Sequence, residues 1–306
     1  GGQLGLMFTI KAHQLGKKVL VLDPDKNCPA GKIADKFINT DYLDINALNE
    51  IKENCNVCTT EFENIPFRTL EILEKDIEVF PNSKSLKVSQ DRILEKKFLR
   101  KLNLPTTEYH EINSERDLEK FNINGNWPYI LKTSTFGYDG KGQIRTKSGD
   151  SPEQLWQKLN TDLAILESFV NFKKEISFLI ARNANGQTVI FPPTLNHHEN
   201  GILVHSSAPA ILPQNVLDAG CHYLEMMAHH LSVVGLLAME LFLTEDNTLI
   251  FNEIAPRPHN SYHWTIEGCK TSQFHQLVRS VSGLPFGEVK TSKKMAYEKY
   301  SWSVSI

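Results

Sequence analysis

The sequence predicts two fold types in series, an α/β region followed by an α+β region. Three observations predict this. Residues 1–82 alternate helix-patterned and strand-patterned segments, which implies a Rossmann-like doubly wound parallel sheet. After residue 163 come further apolar strands, two pairs of them joined by turns at Asn185-Gly186 and Asp246-Asn247, which implies antiparallel hairpins. The chain has 306 residues, 41% apolar and 23% charged, which is enough for two or three domains with real cores.

Each element has a local reason. Gln3 to Leu15 repeats its apolar residues at Leu4, Met7, Phe8 and Leu15, and Gly16 stops the helix. Lys17 to Leu22 is a short strand halted by Pro24. A helix over Asn46 to Glu53, a strand over Val57 to Phe62 and a helix opened by Pro66 follow, and Val79-Phe80-Pro81 closes the region. Ser83 to Leu102 reads as one charged helix, and Ser114-x-x-Asp117 as a capping box. Trp127 to Lys132, Leu163 to Phe169, Glu175 to Ala181 and Thr188 to Phe191 read as strands, with Asn185-Gly186 as a hairpin turn. Pro213 to Leu231 is a helix, and Leu236–Leu243 and Leu249–Ile254 are two apolar strands.

Composition excludes several classes. Lys plus Arg is 33 and Asp plus Glu is 36, a net charge of −3, so there is no global attraction to nucleic acid or anionic lipid. No stretch approaches the ~18 apolar residues of a membrane span. Five scattered cysteines do not form a disulfide framework. Cys55-x-x-Cys58 has no second Cys pair and lies in a strand pattern, which argues against zinc and redox roles. The first ten residues lack a basic start followed by an apolar run, so a reducing cytoplasm is the expected location.

Four segments carry chemistry. Gly1-Gly2-Gln3-Leu4-Gly5 is most of a G-x-G-x-x-G, which suits either an anion at a helix start or close helix–strand packing. Lys132 ends an apolar strand and is followed by Gly137, Gly140 and Gly142. Such a loop lets the backbone approach phosphates, and the order of residues is not that of a Walker loop. The strand from Leu163 to Val170 offers an open backbone edge to a purine. Glu167 and Glu175 are candidate acceptors there, although each also fits a solvated strand residue. A two-residue turn at Asp246-Asn247 would set Glu240 directly opposite Glu253. Facing carboxylates in apolar strands repel, and a divalent cation between them removes the conflict; oxygen ligands select Mg²⁺ or Mn²⁺. Ala255 to Trp264 then packs an Arg, two His, an Asn and a Ser into a Pro-stiffened segment suited to oxyanion recognition. A zinc site at His259 and His263 lacks a third ligand of sensible spacing.

Together these features resemble the ATP-grasp superfamily. Three runs narrow it: Thr60-Glu61-Phe62-Glu63-Asn64-Ile65-Pro66, Phe136 to Gly142, and Asn252 to Trp264. They resemble the ATP-dependent carboxylases that act on 5-aminoimidazole ribonucleotide in purine biosynthesis, from Gly1 to about Gly287. The resemblance implies an ATP-grasp fold preceded by the Rossmann-like domain, with units at 1–82 (first strand missing), 83–287 (lid about 106–168) and a divergent, truncated tail at 288–306. It implies ATP, Mg²⁺ (or Mn²⁺), bicarbonate and 5-aminoimidazole ribonucleotide as ligands, and a homodimer. Arg92 and Lys132 would hold ATP phosphates, with Phe136, Gly137, Gly140 and Gly142 closing over them. Glu167, Ser168, Phe169 and Val170 would meet the adenine, and Glu175 the ribose. His198 would lie near the nucleotide, with its neighbour His197 as the alternative. Glu240 and Glu253 would hold the metal with Asn252 beside them. Arg257, His259 and Asn260 would bind bicarbonate and its phosphorylated form. Tyr138, Asp139 and Lys141 would contact the aminoimidazole ribonucleotide.

Three departures stand out. Leu6 replaces a basic residue, Tyr262 replaces a glycine and is expected to crowd the bicarbonate end, and residues 293–302 leave the pattern. The divergent tail, with the initial Gly and the incomplete glycine motif, leads to the expectation of a trimmed form of a longer three-domain enzyme. The competing readings are another ATP-grasp carboxylase or transformylase and a nucleotide-binding remnant without catalysis. A dinucleotide oxidoreductase leaves the facing glutamates unexplained.

Overall fold

The computed structural model describes residues 1–122, 128–135, 137, 142–199, 201–291 and 293–298. The N-terminal region runs α1 (Gln3–Gln14), β1 (Leu20–Leu22), β2 (Lys36–Ile38), α2 (Ile45–Asn54), β3 (Val57–Thr59), α3 (Phe67–Leu73) and β4 (Glu78–Phe80). Its strands form two parallel pairs, β1 with β2 and β3 with β4. A cavity of about 810 Å³, bordered by Val21, Leu22, Val57 and Thr59, lies between the pairs. Strand β3 stops before the predicted Phe62 because the Thr60 hydroxyl bonds both the amide and the carbonyl of Phe62, turning the chain. Gly5 sits tightly against Glu61 and Ala30, the close-packing use of that glycine.

The predicted charged helix is two helices, α4 (Ser83–Gln90) and α5 (Arg92–Lys101). Asp91 breaks it: its backbone is extended, and its carboxylate accepts from the amides of Ile93 and Leu94 and from the Ser134 hydroxyl. An N-cap bond is worth ~1 kcal/mol, comparable to the helix continuity given up.

A four-stranded antiparallel sheet follows, built from β5 (Tyr109–Ile112), α6 (Glu115–Asn122), β6 (Tyr129–Thr133), β7 (Gln143–Arg145), α7 (Pro152–Leu159) and β8 (Ala164–Ser168), in the order β5-β8-β6-β7. The larger sheet contains β9 (Lys174–Arg182), β10 (Thr188–Ile190), β11 (Thr194–Glu199), β12 (Ile202–Ala208), β13 (Gly235–Leu243), β14 (Leu249–Ala255) and β15 (Met295–Glu298). Its path is β14-β13-β9-β11-β12-β15, with β10 beside β9. Helices α8 (Gln214–His230), α9 (Thr265–Gly268) and α10 (Gln273–Val281) complete the chain. Strand β15 gives the divergent tail a place at a sheet edge, paired with β12. No helix among the described residues is long and apolar enough to cross a membrane.

The larger sheet positions the site. Ile176, Phe178 and Ile180 of β9 face a core with Leu224 and Met227 of α8. The alternate residues Leu179 and Ala181 join Leu236, Ala238 and Leu277 on the other face. Moving along that second face, β9 changes to Ser177 and Glu175, and β13 to Glu240. One sheet face is therefore core at one end and polar floor at the other.

Helix α8 approaches β9 closely only because Gly220 stands over Phe178; a Cβ there would run into the ring. Gly220→Ala is expected to destabilise the protein by ~1–3 kcal/mol through overpacking. The check is a lower urea midpoint at unchanged slope.

Candidate active site

Between the two sheets lies a cleft of about 580 Å³. Its floor is set by the β13–β14 hairpin. The predicted two-residue turn is instead a three-residue loop closed by the Thr244 amide on the Thr248 carbonyl at 3.0 Å, with Asn247 at φ 67°. That shifts the register by one residue. A bulge at Asn252 shifts it back, so Glu240 still pairs with Glu253. The bulge also breaks side-chain alternation, and consecutive Asn252 and Glu253 both line the cleft.

Glu240 is buried, and burial together with nearby Glu253 pushes its carboxyl up to about 8. Its Oε1 accepts from the Ser177 hydroxyl and the Asn196 amide, each at 3.3 Å. Asn196 also donates to Ser177 at 2.6 Å and accepts from Ser206 at 3.0 Å. His259 Nδ1 lies 3.8 Å from Glu240, but burial, then Arg257, His263 and His198, hold that imidazole well below its usual range, so it is neutral. The Ser261 amide donates to His259 Nδ1, which assigns the ring proton to Nε2.

Arg257 and Asn260 line the same end of the cleft as His259. The Arg257 guanidinium donates to Glu63 Oε1 at 2.8 Å and to the Pro258 carbonyl at 2.9 Å, and its Nε also faces Glu63. Burial lowers its pKa only to about 10, so it stays cationic. Gln273 clasps the segment, accepting from the His259 amide at 2.8 Å and donating to its carbonyl at 2.9 Å.

The opposite wall comes from the four-stranded sheet. Lys132 contacts Glu167 Oε2 at 3.2 Å. Burial pushes the Glu167 carboxyl up, but Lys132 and Lys96 outweigh it and leave it below the ordinary range. Glu167 Oε1 is buried without a hydrogen-bond partner among the described residues. Ser168, Phe169 and Val170 continue this wall, with the Arg145 guanidinium 4.3 Å over the Phe169 ring. Arg92 lines the cleft but spends its guanidinium on the carbonyls of Thr133 and Gly137, at 2.9 and 3.0 Å. It therefore shapes the loop expected to cover phosphates. Gly142 returns the loop, at φ 70°, with its carbonyl accepting from Thr133. Glu175 and His198 line the cleft and pair with each other. His197 is exposed beside Glu199, which separates the two histidines.

Phe136, Tyr138, Asp139, Gly140 and Lys141 lie outside the described residues. Tyr262 does not crowd the cleft: its ring is fully buried beneath it. Sequence reading missed three groups. Glu63 belongs to a quoted run, yet only the fold brings it to Arg257. Lys96 is 1% exposed, with its ammonium 3.2 Å from the Phe251 carbonyl and 3.7 Å from Glu167. Glu95 beside it accepts from the Ile254 amide, and burial pushes its carboxyl up to about 8. The signal for Lys96 was its place on the buried face of α5, three residues from both Ile93 and Leu99.

Residues 97–274 match the ATP-grasp domain family, and residues 1–90 match the ribonucleotide synthetase preATP-grasp domain family. The chain is 39% identical over 293 residues to the N5-carboxyaminoimidazole ribonucleotide synthase of Bacillus subtilis (strain 168), covering 96% of this chain and 77% of that one. It is 40% identical over 309 residues to the bifunctional purine synthesis protein purC/E of Dictyostelium discoideum, covering 98% of this chain and spanning 31% of that longer protein. A crystal structure of the ADP complex of purK, N5-carboxyaminoimidazole ribonucleotide synthetase, has a TM-score of 0.92 at 39% identity, covering 97% of this chain and 78% of that one. The N5-carboxyaminoimidazole synthase from Aspergillus clavatus, in complex with ADP and 5-aminoimidazole ribonucleotide, has a TM-score of 0.88 at 26% identity, covering 97% and 79%.

Two outcomes follow from the geometry. Lys96→Met leaves the Phe251 and Asn252 carbonyls without their buried donor. It is expected to cost ~1–3 kcal/mol in urea unfolding and to weaken ADP binding by titration calorimetry. Burial lowers the His198 pKa, but the Glu175 contact and the nearby Glu240 and Glu253 carboxylates together raise it more, so the net shift is upward. The stabilisation from this pairing is full below the unfolded-state pKa and lost as pH rises through the folded-state value. Glu175→Gln should lower the His198 midpoint, followed by imidazole NMR; an unmoved midpoint refutes the pairing.

Proposed function

The chain belongs to the N5-carboxyaminoimidazole ribonucleotide synthase family of ATP-grasp ligases, and we propose that its cleft carboxylates the amine of 5-aminoimidazole ribonucleotide. ATP phosphorylates bicarbonate, giving carboxyphosphate and ADP. The amine takes the carboxyl group from carboxyphosphate, or from the CO₂ it releases, and phosphate leaves. The product is the N-carboxy ribonucleotide of purine biosynthesis.

The observation that carries this reading is the meeting of Glu240 and Glu253 in facing register below the cationic wall of the same cleft. Two carboxylates on neighbouring strands, with neutral His259 close to Glu240, fit a hard cation. Among the described residues no group of three or more His, Cys, Asp and Glu is arranged to hold a metal by itself. That suits Mg²⁺, which takes one or two carboxylates and completes its shell with phosphate oxygens and water. When bound, the ion would neutralise charge on the transferring phosphoryl group.

The chain's own groups do the rest. Lys132 supplies positive charge to the phosphates, and Arg92 holds the carbonyls that shape the covering loop. The unpartnered Glu167 Oε1 would accept from the adenine amine, with Ser168, Phe169 and Val170 beside the ring and Glu175 toward the ribose. Arg257 offers a fixed, buried cation to bicarbonate and its phosphorylated form, with His259 and Asn260 adjacent. Neutral His259 would donate through Nε2–H rather than repel the Arg257 cation. Tyr138, Asp139 and Lys141 would contact the aminoimidazole ribonucleotide. The region of about 106–168 would act as a lid.

The deciding assay is ADP release with ATP, Mg²⁺, bicarbonate and 5-aminoimidazole ribonucleotide, each omitted in turn. Release that needs both bicarbonate and the ribonucleotide is expected. Tight ATP binding without turnover would instead indicate a nucleotide-binding remnant. Glu253→Gln should cut Mg²⁺-dependent turnover by about 100-fold or more, the scale of several kcal/mol of lost charge stabilisation; undiminished activity would remove Glu253 from the metal site.

A further inference from the structure

Tyr262 stands two residues beyond Asn260, in the segment assigned above to bicarbonate, and its side chain leaves the cleft altogether. The ring packs against Phe191 and Trp264, with centroids 6.0 and 6.1 Å away. Its hydroxyl donates to the main-chain carbonyl of Ser177 on β9 at 2.9 Å. A phenylalanine would fill this apolar site without burying a polar group, so the hydroxyl needs a reason to be there. Its partner supplies one. Ser177 pairs with Glu240 across the sheet, and its own side chain donates to Glu240 Oε1.

The main chain of Tyr262 is equally committed. Its amide donates to the His259 carbonyl at 3.0 Å, closing the turn that carries His259 and Asn260. Its carbonyl accepts from the Thr265 hydroxyl at 2.6 Å. Gln273 grips His259 from α10. The turn is thus held twice, by Gln273 toward the helix and by the phenol toward the sheet. Burial raises the phenol above its usual range, so it remains an O–H donor throughout the neutral range.

We propose that Tyr262 is a positioning residue whose buried hydroxyl locks the turn bearing His259 and Asn260 onto β9, fixing its register with the Glu240 carboxylate. Because Tyr262 is not among the residues that line the cleft, the lock acts through the turn it holds, at the bicarbonate end. The functional part of this inference rests on the bicarbonate assignment made above; the mechanical part does not.

Tyr262→Phe removes one hydroxyl and keeps the ring. Hydrogen exchange read by NMR at the amides of residues 261–263 is expected to speed up about two- to tenfold, the range of one net hydrogen bond. The KM for bicarbonate should rise by a similar factor, with the KM values for ATP and the ribonucleotide unchanged. Unchanged exchange overturns the lock. Faster exchange with all three KM values rising together, or with none rising, overturns the positioning role and leaves Tyr262 a structural residue. If the unsubstituted protein shows no bicarbonate-dependent ADP release, the functional reading fails on its own, and exchange alone then decides whether the lock exists.

Discussion

The structure turns on one electrostatic conflict: two glutamates paired across neighbouring strands in a largely apolar sheet. A sheet normally avoids like charges in facing register. Here the arrangement survives because Glu240 is raised enough to hold a proton near neutrality and is hydrogen-bonded by Ser177 and Asn196. Those partners sit on β9 and β11, so the order of the sheet is also the order of the support around the carboxylate. The elements farther out serve the same end, with α10 holding His259 in place through Gln273.

The opposite wall shows the complementary imbalance. Arg92, Lys96 and Lys132 gather around the carboxylate of Glu167, with Glu95 beside Lys96, and burial makes an uncompensated cation costly. Lys96 and Arg92 discharge part of this excess onto main-chain carbonyls. Lys132 retains one carboxylate contact and faces the open space. A polyphosphate is the kind of anion such a wall suits, and the facing acids opposite suit a divalent cation. The two demands meet in a nucleotide–metal complex, which neither wall would satisfy alone.

Much of this was legible in the sequence, for unequal reasons. Strands β8, β9, β13 and β14 announce themselves because buried strands are continuous apolar runs bounded by turn residues. Glu240 and Glu253 stand out because they interrupt such runs. Their pairing was inferred from the wrong turn length and holds because Asn252 offsets the error; bulges leave little trace in composition. The α4–α5 break was hidden because Asp91 looks like one more charged helical residue, and its added bond from Ser134 comes from far along the chain. Glu63 and Lys96 escaped because local pattern cannot report partners 194 and 155 residues away.

The bulge at Asn252 has a consequence for how this hairpin can change over evolutionary time. Loop length and bulge form a compensated pair of edits, each shifting the strand by one residue in opposite senses. A single deletion in residues 245–247 would rotate Glu240 out of step with Glu253, and so would a single deletion at Asn252. Both together would restore the facing carboxylates but remove the amide beside them. Related chains should therefore gain or lose these two residues jointly, and the tip of a surface hairpin, ordinarily the most permissive place for insertion, is here tied in length to the floor of the cleft.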